Sequence, residues 1–380
     1  MARGKRLRPT RSRRRGSVGN YVAVASLILI CGGAGWLWWN GKPKRRIAAS
    51  VQLPKAAVVT NPPPRAPATN PATSLPTNLP AIIRQPAPTI SPDTYPRPVN
   101  DPLEAQIALA RRGISSGSID GVLGAQTRAA LLSFQRHNGL PEATELDPAT
   151  KSRLLLDSPG FTNFTVSTSD LARLQPISAS WLGKSQQSAL DYETILELVA
   201  ERGHASPNLV RRLNPKVNWT NVPVGTDIRI PAVEYPKPTN RAGFIVISLS
   251  EKFLQAFDAN TNLLAHFPCS IAARVEKRPA GELHVTAIAE NPNYTFNPEV
   301  FPESAEAREL NRKLILPPGP NNPVGTAWIS LDLPGYGIHG TPNPEQVGRT
   351  ESHGCFRLAN WNASHLVKLA WVGLPVFVEP

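Results

Sequence analysis

The stretch Ser352-His353-Gly354-Cys355-Phe356-Arg357 brings a thiol, an imidazole and a guanidinium together within six residues. Cys355 is one of three cysteines in the 380-residue chain, and the pKa of a thiol falls beside a histidine or arginine cation, which favours the nucleophilic thiolate. Gly354 removes side-chain bulk next to the thiol, which suits close approach by a substrate. A lone cysteine is otherwise a small buried hydrophobe, but these polar flanks are a poor composition for a core strand. The stretch therefore predicts a nucleophilic cysteine.

A second histidine lies upstream, in Tyr336-Gly337-Ile338-His339-Gly340. An imidazole can take the proton of a thiol and return it to a leaving amine, so His339 is the candidate general base and acid. The alternative is a structural histidine at the end of a strand.

These two segments resemble the catalytic domain of the L,D-transpeptidases, the YkuD family. The family signature is a His-Gly pair followed by Ser/Thr-His-Gly-Cys, and here it reads His339-Gly340 and then Ser352 to Cys355. The resemblance extends over residues 243–380 and includes the lead-in from Leu316 to Thr326. It implies a mostly-β sandwich that carries out cysteine-dependent acyl transfer without a cofactor.

The resemblance also implies a two-step exchange on peptidoglycan stem peptides. Cys355 attacks the carbonyl between the diamino acid at stem residue three and D-Ala at residue four, D-Ala leaves, and an amine then takes the acyl group from the thioester. Further site candidates are His353 to line the site or polarise the acyl oxygen, the N–H groups of Gly354 and Cys355 for the oxyanion, Arg357 for a stem carboxylate, and Ser352, Gly340 and Tyr336 as substrate contacts. Pairing of Arg357 with Glu351 and simple packing of Tyr336 are the alternatives.

Two other readings of the function stay open beside the transpeptidase. Water in place of the acceptor amine would make the enzyme a hydrolase, and a non-catalytic wall anchor is the third possibility, which the paired His339 and Cys355 disfavour. The acceptor is either another stem peptide, giving a 3→3 cross-link, or the lysine of an envelope protein. One cysteine and two histidines fall short of a zinc site, and no phosphate-cradling glycine loop is present, so no metal and no nucleotide are expected.

The net charge of +13 does not predict a nucleic-acid partner, because residues 1–46 hold 12 of the 41 Lys and Arg residues and no acid. Tyr21 to Trp39 carries no charge and is long enough to cross a bilayer. Eight basic residues precede it in the tail at 1–20, which predicts a cytoplasmic N-terminus. We therefore predict a single-pass inner-membrane protein with a transmembrane helix at 21–39 and a periplasmic catalytic domain. A cleaved signal peptide and a lipoprotein anchored through Cys31 are the alternatives.

Between the membrane and the catalytic domain the sequence predicts three segments. Residues 40–100 form a proline-rich linker, which favours extended polyproline II structure. Residues 101–157 resemble the three-helix peptidoglycan-binding domain, with Asp101 as the first helix cap and Asp147 before the third helix. Residues 188–232, with two helices and a closing strand, resemble a divergent LysM module, an α+β unit that binds glycan chains. A purely structural spacer is the alternative for this last segment.

In the catalytic domain, alternating apolar residues predict strands at 244–250, 263–271, 283–289 and 374–378. Asn362 is predicted to cap a short C-terminal helix. Cys269 lies in a strand-like run and is predicted to be a buried, inert thiol.

Overall fold

The structure of the protein, a computed structural model, describes residues 94–301, 304–350, 352 and 354–380. The predicted tail at 1–20, the transmembrane helix at 21–39, most of the linker at 40–100 and His353 lie outside the described residues. Across the described ranges, no helix combines the length and the apolar character that crossing a membrane requires.

The first structured domain is a small helical unit whose helices begin at the predicted caps. The Asp101 carboxylate accepts a hydrogen bond from Glu104 N at 2.9 Å, and Asp147 accepts one from Thr150 N at 2.8 Å. The buried Gln106 side chain accepts from Gly121 N at 2.8 Å and so fixes the turn at Asp120-Gly121. The elements are β1 (Arg97–Pro98), α1 (Pro102–Ala110), α2 (Ala125–His137), α3 (Pro148–Arg153) and β2 (Leu155–Leu156), with β1 and β2 paired antiparallel.

The second unit is a pair of helices closed by two strands that are distant in sequence. Strand β4 pairs antiparallel with β3 over five residues, and β3 lies upstream of the predicted start at residue 188. The prediction missed β3 because a long stretch with two short helices separates it from the helix pair. The elements are β3 (Phe161–Thr165), α4 (Thr168–Ala172), α5 (Trp181–Gln186), α6 (Ile195–Arg202), α7 (Pro207–Leu213) and β4 (Asp227–Pro231).

The C-terminal domain is mostly β, as predicted. Its elements are β5 (Phe244–Ser248), β6 (Phe253–Phe257), β7 (Leu263–Pro268), β8 (Gly281–Glu290), β9 (Tyr294–Phe296), α8 (Ala305–Leu310), β10 (Leu314–Leu316), β11 (Ala327–Leu331), β12 (Gly337–His339), β13 (Phe356–Arg357), α9 (Asn360–Leu369) and β14 (Pro375–Glu379). Eight of these strands join one sheet in the order β13-β12-β11-β8-β14-β5-β6-β7, and β9 pairs with β10 in a separate two-stranded sheet. The helix α9 packs its apolar side, including Leu366 and Leu369, into the buried core of the large sheet.

The helical domain lies directly on the edge strand β7 of this sheet. Ser115 N donates to His266 O at 2.8 Å, and His266 N donates to Gly113 O at 3.0 Å, so the chain after α1 continues the sheet. Gly113 has φ +77°, and a Cβ there would lie 2.7 Å from Leu264 O, so this close approach requires glycine. The contact covers an edge that would otherwise expose unpaired backbone groups. The helical domain is therefore packed on the catalytic domain.

Candidate active site

Two adjacent parallel strands bring the predicted site residues together. In the pairing of β12 with β13, Ile338 lies opposite Phe356 and His339 lies opposite Arg357. Ile338 and Phe356 are each 1% exposed and anchor both strands in the core. Because side chains alternate along a strand, His339 and Arg357 then face the other side of the sheet, and Cys355 immediately precedes β13. The segments around His339 and Cys355 therefore meet because the two short strands β12 and β13 are neighbours in the sheet.

A cavity of about 350 Å³ opens at this point. Of the residues predicted from the sequence, it is lined by Cys355, His339, Arg357, Ser352 and Gly354. The rest of its lining is largely apolar and aromatic. In the described part of the chain, no three histidine, cysteine or acidic side chains are grouped as metal ligands would be.

The environment of His339 keeps its imidazole neutral. Nδ1 lies 2.6 Å from the Gly340 carbonyl oxygen, which can only accept, so Nδ1 carries the proton and Nε2 keeps its lone pair. Burial lowers the pKa of His339 to about 4, and the Arg357 cation also lowers it, whereas the bond to Gly340 opposes the shift. The ring stacks on Trp328 with centroids 5.5 Å apart. At neutral pH His339 is thus oriented and able to accept a proton.

Cys355 is half-buried, and its thiol lies 3.5 Å from the Gly335 carbonyl oxygen. Burial raises the pKa of Cys355, while a hydrogen bond from Gly337 N–H and the nearby Arg357 cation act in the opposite direction. The resting thiol is therefore protonated at neutral pH, and its activation requires a base in the same cavity. The cavity therefore contains a neutral thiol, that of Cys355, and a neutral imidazole, that of His339.

Of the other predicted residues, Ser352 lines the cavity, whereas Tyr336 and Gly340 are not among the residues that line it. The Ser352 hydroxyl donates to Cys355 O at 2.6 Å and accepts from Gly354 N at 3.2 Å, so it braces the loop that carries Cys355. Tyr336 is half-buried in the turn before β12, and a Cβ on Gly354 would lie 3.7 Å from its ring. Gly340 lies behind His339, where a Cβ would clash with the buried Asn360 Oδ1 and lie 3.2 Å from Thr326 N, so packing requires glycine there. Direct contacts of these residues with substrate stay a prediction.

Asn360, which the sequence analysis did not single out, is the buried residue that holds the loop behind His339. Its Oδ1 accepts from Thr341 N at 3.0 Å and from Thr326 N at 3.2 Å. Its Nδ2 donates to Pro320 O and to Glu201 Oε2, both at 3.1 Å. Asn360 thereby connects the lead-in segment, the strand that carries His339 and helix α6. Only the bonding partners reveal this role, because the residue begins a helix with no local motif.

Replacement of Asn360 by alanine is expected to destabilise the fold by about 2–4 kcal/mol, because two backbone N–H groups and a carbonyl lose their buried partner. Chemical denaturation at neutral pH measures the change in the free energy of unfolding. Asn208→Ala, at an exposed position of α7, is the matched control and should change stability by less than about 0.5 kcal/mol. Equal stabilities of the two variants would contradict the role assigned to Asn360.

Comparison with known proteins agrees with the site. Residues 242–378 match the L,D-transpeptidase catalytic domain (YkuD), and residues 99–154 match the "Putative peptidoglycan binding domain" family. The chain is 26% identical over 185 residues to the "Putative L,D-transpeptidase YkuD" of Bacillus licheniformis, which covers 49% of this chain and 93% of that protein.

Two further relatives have more limited coverage or similarity. The "Putative L,D-transpeptidase YqjB" of Bacillus subtilis is 37% identical over 105 residues, or 26% of this chain and 51% of its own length. The solved L,D-transpeptidase from Mycobacterium smegmatis is similar at 17% identity and a TM-score of 0.29, over 42% of this chain and 65% of its own.

The resemblance drawn from His339-Gly340 and the Cys355 motif is therefore confirmed, while the LysM-like nature of residues 188–232 stays a prediction. This chain carries a catalytic domain of the YkuD family of L,D-transpeptidases at residues 242–378, preceded by a peptidoglycan-binding domain at residues 99–154.

Proposed function

We propose that this protein is an L,D-transpeptidase that acylates Cys355 with a peptidoglycan stem peptide, releases D-Ala and transfers the acyl group to an amine. The observation that carries the proposal is the single cavity lined by Cys355, His339 and Arg357. A nucleophile, an oriented base and a fixed cation around one space are the parts that acyl transfer to an amine needs.

The first half-reaction forms the thioester. Sγ of Cys355 attacks the carbonyl of stem residue three as Nε2 of His339 takes the thiol proton. The C–N bond to D-Ala breaks, and His339 returns the proton to the leaving amine. Of the two N–H groups considered for the oxyanion, that of Gly354 donates to Ser352, so the role falls to Cys355 N–H.

The second half-reaction runs through the same groups. The acceptor amine attacks the thioester carbonyl, its excess proton passes to His339, and the thiolate leaves and is reprotonated. Each covalent step is an acyl exchange, which divides one difficult amide exchange into two easier reactions. With water as the acceptor, the same steps give hydrolysis.

Arg357 is the group best suited to a carboxylate on the donor stem. Its backbone is fixed by a reciprocal pair of hydrogen bonds with Ser270, since Arg357 N donates to Ser270 O at 3.0 Å and Ser270 N donates to Arg357 O at 2.9 Å. Burial lowers the pKa of its guanidinium, but the group stays cationic in any physiological medium. A planar cation beside the thiol would orient the stem before attack.

Incubation of the purified protein with disaccharide-tetrapeptide muropeptides tests the proposal through the masses of the products. The expected products are free D-Ala and 3→3 cross-linked dimers. Tripeptide monomers without dimers would identify a hydrolase. Unchanged substrate would mean that the protein binds the wall without catalysing a reaction. Addition of a lysine-bearing envelope protein as a competing acceptor separates the two acceptor classes.

For the location, we propose an inner-membrane anchor with the catalytic domain in the periplasm. The support is the uncharged run from Tyr21 to Trp39 behind eight basic residues. The long proline-rich segment that follows suits an enzyme that reaches from the membrane to the wall.

A reporter that works only outside the cytoplasm, fused after Pro380, is expected to be active, and the fusion should need detergent for release from membranes. The reason is that the basic tail keeps the N-terminus in the cytoplasm. Release of the fusion with the periplasmic fluid would indicate a cleaved signal peptide instead of a membrane anchor. An inactive reporter would contradict export altogether.

Peptidoglycan is the expected ligand of residues 99–154, and glycan binding by residues 188–232 is the corresponding proposal for the second unit. Because the helical domain packs on β7, bound wall material would be held at a fixed position relative to Cys355. The proposed role is therefore the alignment of the wall with the active site as well as retention near it.

A further inference from the structure

One side chain in the wall of the active-site cavity comes from outside the catalytic domain. Trp181, the first residue of α5, lines the same cavity as Cys355, His339 and Arg357. It lies well before residue 242, where the match to the catalytic domain begins. The chain therefore adds a large aromatic side chain to its reaction site from its second unit, which contains α5.

Trp181 is held against aromatic residues of the insertion between β8 and β11. Its indole stacks on Phe296 with centroids 4.4 Å apart and planes inclined by 18°, and Phe301 and Tyr294 lie at 5.4 and 6.5 Å. Phe301 and Tyr294 also line the cavity. These four rings, Trp181, Tyr294, Phe296 and Phe301, are called the aromatic wall.

Hydrogen bonds and a small core fix the position of the aromatic wall. The Glu306 carboxylate accepts from Trp181 N and from Leu182 N, each at 2.9 Å, and so caps the start of α5 from across the insertion. Below the rings, Leu190, Ala307 and Leu316 are almost completely buried in one cluster. The indole is thus preorganised, and substrate binding need not order it.

The cavity consequently has two chemically different sides. Cys355, His339 and Arg357 form a reactive, polar side, and the aromatic wall forms an apolar side with a half-buried indole on its surface. A ligand that fits both must carry a carboxylate and, next to it, an aliphatic portion that gains from leaving water. The diamino acid of a donor stem has this composition, with methylenes between the attacked carbonyl and its distal charged end.

We infer that Trp181 is a substrate-contacting, specificity-determining residue, whose indole packs on the aliphatic part of the donor stem while Arg357 pairs with its carboxylate. This inference rests on the proposed transpeptidase function. It makes the segment around α5 part of the substrate site, although that segment lies outside the catalytic domain.

Steady-state kinetics with a tetrapeptide muropeptide test the inference on the full chain. Trp181→Ala is expected to raise KM about tenfold and Trp181→Phe to raise it less than about threefold, because phenylalanine keeps a ring in the wall. The rate of Cys355 alkylation by iodoacetamide should change less than about twofold in both variants, since the thiol and His339 are untouched.

Leu182→Ala is the matched control, because Leu182 packs in the same cluster and is not among the cavity-lining residues. It should lower the thermal midpoint and leave KM unchanged. If Trp181→Ala leaves KM unchanged, or if it lowers kcat and the alkylation rate together, Trp181 serves packing and the inference is overturned.

A binding measurement separates this inference from the proposed function. The Kd of the tetrapeptide muropeptide for Cys355→Ala is compared with its Kd for the double variant that also carries Trp181→Ala. If the wild type does not release D-Ala but the Kd still rises about tenfold without the indole, the transpeptidase proposal fails and the substrate contact stands. An unchanged Kd overturns the contact, whatever the activity of the wild type.

Discussion

Replacement of Cys355 by alanine is expected to lower D-Ala release from tetrapeptide muropeptides by a factor on the order of 10⁴ or more, because no other group in the cavity can form the thioester. The thiol lies at a surface of the cavity rather than in the core, so folding should be retained. Release of D-Ala, followed by mass spectrometry, and the thermal midpoint measure the two effects separately.

Cys269→Ala is the matched control for this loss. Cys269 is fully buried, its pKa is raised by burial alone, and its thiol donates to Ser270 O. Its replacement should cost a modest amount of stability and leave turnover at 25 °C near the wild-type value. A Cys355→Ala variant that still releases D-Ala at the wild-type rate, or a Cys269→Ala variant that folds but is inactive, would contradict the assignment of the nucleophile.

Replacement of His339 by glutamine is expected to lower kcat/KM by about 10²–10⁴ at pH 7, because the thiol loses its base while its pKa stays raised. The dependence of kcat/KM on pH should also differ between the wild type and the variant. With the pKa of His339 near 4, the wild-type imidazole is neutral from pH 5 upward, so kcat/KM should be level between pH 5 and 8.

The His339→Gln variant should instead depend on the small population of free thiolate. Below the raised pKa of Cys355, that population grows about tenfold for each pH unit, and the residual rate should follow it. Initial rates across this pH range provide the measurement. A wild-type rate that falls below pH 6.5 would indicate an imidazole with an ordinary pKa, and a variant with a level profile would rule out His339 as the base.

The grouping of the candidate site residues could be predicted from the sequence because their signals are local. The His339-Gly340 pair and the motif around Cys355 each occupy a few consecutive positions, and strand pairing then places them side by side. The caps at Asp101 and Asp147 were likewise predictable, because a capping side chain bonds within its own first turn.

The residues that sequence analysis missed act through distant contacts. Asn362 was predicted to cap the C-terminal helix, but the helix begins at Asn360, and Asn362 is a fully buried residue within it. Asn360 joins positions that lie 19 to 159 residues away, and no local pattern marks such a role. Trp181 was missed for the same reason, since its partners lie in the insertion after β8.

Domain boundaries were the hardest feature to predict, because the amino-acid composition does not show which residues pack across them. Residues 113–115 follow α1 directly in the sequence, and the structure adds them to the edge of the catalytic sheet. Strand β3 is separated by more than sixty residues from its partner β4, so the second unit starts earlier than its helices suggested.

The central intermediate of the proposed mechanism is a thioester between Cys355 and the acyl part of the stem. Intact-mass spectrometry of the protein, quenched in acid shortly after mixing with a disaccharide-tetrapeptide, tests it directly. The predicted result is a mass gain equal to the substrate minus D-Ala, located on the peptide that contains Cys355 and removed by hydroxylamine. An unmodified protein mass during ongoing D-Ala release, or the adduct on any other residue, would contradict the account.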